Sequence, residues 1–219
     1  LISPLSRENT AKSYSSVYQI ALTYLGQAEK LVEYLIENKR NENIIIFHDS
    51  KLVNVINRVK YNFKKENLIV SDYDFSDIKD IKNICKDTQN ILLLSTNKAF
   101  VSRVLSSLGT LDIHTTVFAF EALKTYDNLD INNLMKLSVH IINSRGIDLK
   151  NHHDTTFVNY FQKKFFAYPQ KYSKIGYDII MHFIGDANIY NFIRTKAGCH
   201  ENRFAPIFQY KDYMLERIY

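Results

Sequence analysis

Residues 155–185 read TTFVNYFQKKFFAYPQKYSKIGYDIIMHFIG, and the spacing of their apolar positions decides how the rest of the chain is placed. Phe157, Val158, Phe161 and Phe165 recur at helical intervals behind Asp154-Thr155-Thr156, a group able to cap, and Pro169 ends the run because its ring cannot continue a helix. A second helical set follows in Ile175, Ile179, Ile180, Phe183 and Ile184. Gly176-Tyr177-Asp178 lies in its early turns, where a missing side chain would let another backbone come close. Two helices separated by a proline are expected.

Upstream, short apolar runs alternate with helical patterns. Ile44-Ile45-Ile46-Phe47 is a continuous run of the kind buried on both faces of a parallel sheet, and Val53, Ile56, Val59, Tyr61 and Phe63 supply the helix after it. Leu68-Ile69-Val70 leads in the same way to Ile78, Ile81, Ile84 and Cys85. The run from Ile91 to Leu94 leads to Phe100, Val101, Val104, Leu105 and Leu108, closed by Gly109. Thr115-Thr116-Val117-Phe118 is one further strand, and an earlier helix is expected from Gly26 through Ile36. Such alternation predicts an α/β domain around a parallel sheet. The strand 137–142 follows an acidic turn, and the last residues, with Phe204, Phe208, Tyr210, Tyr213 and Leu215, predict a hairpin around Lys211-Asp212. At the other end, 1–13 reads as a strand end and a polar loop holding Pro4.

Phe157 and Phe161, then Pro169, Tyr172 and Gly176-Tyr177-Asp178, resemble a signature of the type I periplasmic-binding-protein fold, whose members include branched-chain amino-acid receptors. The resemblance is strongest to the envelope-associated branch of that family, whose domains are often joined to LysM peptidoglycan-binding modules. It implies a parallel-sheet α/β lobe, part of a second lobe and a C-terminal β-hairpin. Residues 1–13 would end the first lobe, 14–136 would form the second, 137–199 would return to the first, and 200–219 would pack as a hairpin on the second. It also implies an earlier strand and helix series in the first lobe, so the helices around Phe157 and Tyr177 are expected to expose apolar surface. The implied role is non-enzymatic and set in the periplasm or cell envelope. It is either capture of an amino acid or other small solute between lobes with hinge closure, or service as a degenerate scaffold that holds peptidoglycan or an envelope protein.

Candidate solute contacts come from two sources. Family members place small hydroxyls after a first-lobe strand, where this chain has Ser3 and Ser6, and an Asp after the first strand of the second lobe, where it has Asp49. The aromatic-Gly pair that accompanies that Asp is replaced by Leu52-Val53, and Asp49 also suits a helix N-cap. Position alone nominates Ser95, Thr96 and Glu121, because the carboxyl ends of parallel strands are where open α/β sheets present groups to ligands. The hydroxyls could donate to an anion at a helix N-terminus, and Glu121 could receive an ammonium group.

Composition narrows the remaining classes. With 46% apolar residues the chain can build a core, while its uninterrupted apolar runs fall far below the roughly 20 residues of a membrane span. A net charge of +5 arises from 28 basic residues interleaved with 23 acidic ones, which reads as a solvated surface and not as a nucleic-acid face. Cys85 and Cys199 allow one disulfide at most, and no C-x-x-C or H-x-x-x-H pair supports zinc; His152-His153-Asp154 and Cys199-His200-Glu201 offer only adjacent, diverging side chains. Phosphate-binding glycine loops and a G-x-S-x-G elbow are absent, so no cofactor or catalytic residue is expected, and a hydrolase is the remote alternative.

Overall fold

The protein was studied as a computed structural model, which describes residues 1–3, 5, 16–74, 81–85, 88–111, 113–185, 187–195 and 198–219. The chain divides into two compact units: unit 1 holds residues 1–23 and 143–205, and unit 2 holds 24–142 and 206–219. The sequence passes from one to the other at Thr23–Tyr24, Ile142–Asn143 and Ala205–Pro206. Residues 16–23, expected with the α/β lobe, lie in unit 1, where Tyr18–Gln19 is a strand of its sheet.

In chain order the elements are β1 (Ile2–Ser3), β2 (Tyr18–Gln19), α1 (Tyr24–Asn38), β3 (Ile44–His48), α2 (Val53–Lys65), β4 (Ser71–Asp74), α3 (Ile81–Ile84), β5 (Asn90–Leu94) and α4 (Lys98–Gly109). There follow β6 (Thr116–Ala119), α5 (Ile131–Lys136), β7 (His140–Ile142), α6 (His152–Phe165), α7 (Lys171–Phe183), β8 (Phe192–Arg194), β9 (His200–Asn202), β10 (Ile207–Lys211) and β11 (Met214–Arg217).

Unit 2 is built on a seven-stranded sheet in the order β11-β10-β7-β6-β5-β3-β4. The strands from β4 to β7 run parallel, and β10 and β11 add antiparallel pairs beyond β7. β3 and β5 are buried along their whole length, which explains why Ile44-Ile45-Ile46-Phe47 and Ile91 to Leu94 are unbroken apolar runs. Helix α4 sets Phe100, Val101, Val104, Leu105 and Leu108 into the core formed with Phe47, Leu93, Val117 and Ile141.

The edge strand departs from the sequence expectation. Leu68-Ile69-Val70 is not a strand: β4 is Ser71–Asp74, paired Ile45 with Ser71 through His48 with Asp74, and Ile69 is 98% exposed. An edge strand needs only one partner and less apolar surface, so polar SDYD can occupy it. The strand expected at 137–142 is shortened to β7 because Leu137 ends α5 and Ser138 takes a left-handed φ of 42°. The terminal hairpin turns on Asp212-Tyr213, both at positive φ, as a two-residue turn of the I′ kind requires.

Unit 1 has a four-stranded sheet in the order β1-β2-β9-β8, parallel from β1 to β9 and antiparallel at β8. Tyr18 stacks on His200 at 4.3 Å and meets Phe183 and Phe192 edge-on, tying α7 to this sheet. Phe157 on α6 stacks on Tyr177 of α7 at 4.6 Å. Helix α6 starts at His152 with Asn151 as N-cap, so Asp154-Thr155-Thr156 lies inside its first turns, and Phe166 closes it in a left-handed conformation before Pro169. A Cβ on Gly176 would meet nothing within 4 Å, so the close backbone approach expected there does not occur. Phe166, Tyr172, Ile180 and Ile184 on or beside these helices are exposed.

Candidate functional site

The order β4-β3-β5-β6-β7 has a topological consequence. After β3 the chain goes to one side, to β4, and from β5 onward it proceeds to the other, the arrangement that in open α/β sheets opens a crevice between the loops at the carboxyl ends of the two flanking strands, here β3 and β5. Open α/β sheets bind ligands at such a switch point. Asp49 follows β3, and Ser95 and Thr96 follow β5.

Hydrogen bonds join these three residues. One oxygen of Asp49 accepts from the Lys51 N–H at 3.1 Å, capping the short 3-10 turn Ser50–Leu52; the other accepts from the Ser95 hydroxyl at 2.5 Å and the Thr96 N–H at 3.3 Å. Ser95 Oγ in turn accepts from the Asn97 N–H at 3.0 Å. Asp49 and Ser95 are buried, and their side chains fasten one rim of the crevice to the other. Thr96 is half-buried, its carbonyl held by the Tyr126 hydroxyl at 3.1 Å. Asn97 caps α4 by accepting from the Phe100 N–H, so the positive end of a 12-residue helix faces this corner.

Glu121 stands at the end of the next strand, in the turn after β6. Its N–H donates to the side-chain oxygen of the buried Gln27 on α1 at 2.9 Å, and its carboxylate, 3% exposed, lies 3.8 Å from the Lys124 ammonium. Ser3 is on β1 in unit 1, its carbonyl accepting from the Ile20 N–H, and is not one of the groups gathered by unit 2; Ser6 lies outside the described residues. The Asp49 corner thus unites three of the six expected residues.

The metal-ligand types noted in the sequence have other partners. His153, Asp154 and Asp178 bring ligand atoms within 4.8 Å of one another. The Lys174 ammonium already fills that position, 2.8 Å from Asp154 and 2.6 and 2.5 Å from the two oxygens of Asp178. Burial holds the Asp178 carboxyl above its usual range despite that ammonium. His153 Nε2 lies 3.1 Å from Asp178, and Asp154 also accepts from the Asp148 N–H at 2.7 Å. Sequence reasoning missed this network, although Lys174 and Asp178 stand four apart on one helix, the spacing at which opposite charges meet. His200 stacks on Tyr18, while Glu201 accepts from the Thr23 hydroxyl at 2.7 Å and pairs with Arg203. Cys85 and Cys199 are free and buried in different units, and burial pushes the Cys85 thiol up to about 12.

No family model and no curated protein matches this sequence. Solved structures match it in fold. An ABC transporter substrate-binding protein from Desulfitobacterium hafniense in complex with Leu superposes with a TM-score of 0.73 at 13% identity, over 99% of this chain and 72% of that one. A putative branched-chain amino acid ABC transporter from Rhodospirillum rubrum does so with 0.73 at 11%, over 99% and 72%. A leucine binding protein from Thermotoga maritima gives 0.66 at 11%, over 100% and 71%. At such identities the likeness is one of fold: this chain has the mixed α/β periplasmic-binding-protein fold with a parallel-sheet lobe. Among the described residues no helix is long and apolar enough to cross a membrane.

Proposed function

We propose that the chain is a non-enzymatic solute-binding module of the periplasm or cell envelope, taking a small amino-acid-like solute at the carboxyl ends of the unit 2 strands. The observation that carries this reading is the switch-point corner, where Asp49, Ser95 and Thr96 meet at the N-terminus of α4. The dipole of α4, whose first residue follows Asn97, favours a carboxylate there. Thr96 is half-buried and suited to donate its hydroxyl to such a group, while the Glu121 carboxylate, beside the Lys124 ammonium, stands at the end of β6 on the ammonium side of the solute. Asp49 and Ser95 act as positioning residues, since their polar atoms are engaged with each other and with the backbone. Solute-binding proteins for leucine and other branched-chain amino acids share the fold, which supports the solute class.

One observation favours a second reading. Because Asp49 is tied across the crevice, a domain that has lost its solute and serves as an envelope scaffold for peptidoglycan or a protein would look the same at this corner. A thermal-shift series on the whole chain against the amino acids, short peptides and soluble muropeptides separates the two. A ligand bound only by the folded state stabilises it by about 2.7 kcal/mol at a hundred times its Kd. At least one amino acid is expected to raise the melting temperature with dose, and to lose that effect in Thr96→Val. A rise with muropeptides alone would favour the scaffold.

A further inference from the structure

We propose that unit 2 holds a site for a divalent transition-metal ion of the zinc class beside β3 and β4, with His48 Nδ1 and a carboxylate oxygen of Asp74 as its protein ligands. The site does not depend on the solute-binding reading, and it adds a metal where the sequence motifs suggest none.

Alternation along β4 turns Asp72 and Asp74 to the same face and Tyr73 to the other, where its ring meets Phe47 at 6.0 Å. The register then sets Asp74 beside His48, the last residue of β3. His48 is 8% exposed, and no hydrogen bond reaches its buried Nδ1. An oxygen of Asp74 lies 3.5 Å from that nitrogen. Zinc bonds of roughly 2.0–2.2 Å to imidazole nitrogen and carboxylate oxygen, opened to a tetrahedral angle, separate the two donors by about 3.4 Å. The pair is therefore spaced as one edge of a tetrahedral site.

The other ring nitrogen has the partner a metal-bound histidine needs. Nε2 lies 3.4 Å from an oxygen of Asp72, and the second oxygen of Asp72 receives the Lys60 ammonium at 2.8 Å. The Lys60 ammonium on the far oxygen fixes the Asp72 carboxylate in place beside the ring. A carboxylate on one nitrogen fixes the proton there and turns the lone pair of the other nitrogen to the metal. Ser50 and Asn57 line the adjoining cavity of about 180 Å³, which has room for the waters that would complete the coordination. Unit 1 offers the contrast, because in the His153, Asp154 and Asp178 cluster the Lys174 ammonium already occupies the place of the ion.

The test uses the whole chain, freed of metal by chelator and titrated with Zn²⁺ by calorimetry and with Co²⁺ by visible absorption. One equivalent is expected, with the intense visible bands of four-coordinate cobalt. His48→Gln and Asp74→Asn should each weaken binding by about 100-fold or more, and Asp72→Asn by roughly 10–100-fold as a positioning residue. His153→Ala should leave it unchanged. Far-UV circular dichroism confirms that each variant is folded, and Asp74→Asn carries the test if His48→Gln is not. No binding, binding that survives Asp74→Asn, or binding lost in His153→Ala would overturn the site.

Discussion

Two corners of this molecule bury aspartates to a similar degree and neutralise them by different means. At the end of β3, Asp49 receives only uncharged donors: the Lys51 and Thr96 N–H groups and the Ser95 hydroxyl. On α6 and α7, Asp154 and Asp178 share the ammonium of Lys174, which is 4% exposed. The difference follows from position along the chain. Asp49, at the start of a turn, has unpaired backbone N–H groups beside it, whereas Asp178, inside α7, finds those groups committed to the helix and draws on the Lys174 ammonium; Asp154, in the first turn of α6, shares that ammonium and also accepts from the Asp148 N–H. The first arrangement uses neutral donors and is the more tolerant; the second places three charges in a core and fails if one is removed.

The strongest way to break the comparison is Lys174→Met. Two buried carboxylates that have lost their shared ammonium should cost about 3–5 kcal/mol, read by urea denaturation, whereas neutralising all three groups in Asp154→Asn, Lys174→Met, Asp178→Asn should recover most of that loss. A single substitution costing under about 1 kcal/mol would show that the three charges are not mutually dependent.

Acid sharpens the contrast from another side. Burial, with a smaller repulsion from Lys39, pushes His140 of unit 2 down to about 4 despite its hydrogen bond to the Ser138 carbonyl. The unfolded chain takes up this proton near 6.5 and the folded chain only near 4. Stability from His140 is therefore complete above about 6.5 and declines as pH falls toward 4, by up to about 3 kcal/mol. Asp178 works in the opposite sense, because a carboxyl raised by burial favours the folded state as it gains its proton. Hydrogen exchange followed by unit between pH 7 and 4 should show unit 2 losing protection, and His140→Phe should flatten that loss.

Smaller effects belong to the neutral corner. Asp49→Ala leaves the Ser95 hydroxyl and the Thr96 N–H without their acceptor and should cost about 1–3 kcal/mol in guanidinium denaturation, with Asp49→Asn nearer to wild type. Removing the α4 cap in Asn97→Ala should cost about 1 kcal/mol by the same measurement.

The parts of the fold legible in the sequence are those with a single-chain signal. Strands buried on both faces announce themselves as Ile44-Ile45-Ile46-Phe47 and Ile91 to Leu94, and the α/β class follows from their alternation with helices. β4 does not, because Ser71-Asp72-Tyr73-Asp74 is polar and its place is fixed by register against β3. Asp49 as a cap is local and readable; its bond to Ser95 joins residues 46 apart and depends on the pairing of β3 with β5. Gly176 shows the opposite error, a residue type that suggests close packing on a helix face that meets open space. Likewise Asp154, a plausible cap by spacing, is held by Lys174 from the next helix, a contact that no local pattern encodes.

The central claim is that the carboxyl ends of the unit 2 strands take the solute, and amide chemical-shift mapping tests it most directly. With ¹⁵N-labelled protein titrated with leucine, isoleucine and the other amino acids, the account predicts that one of them shifts the amides of residues 49–52, 95–98 and 119–122 together in a saturable way. Saturable shifts confined to other residues, or no shift with any amino acid on a well-dispersed spectrum, would contradict it.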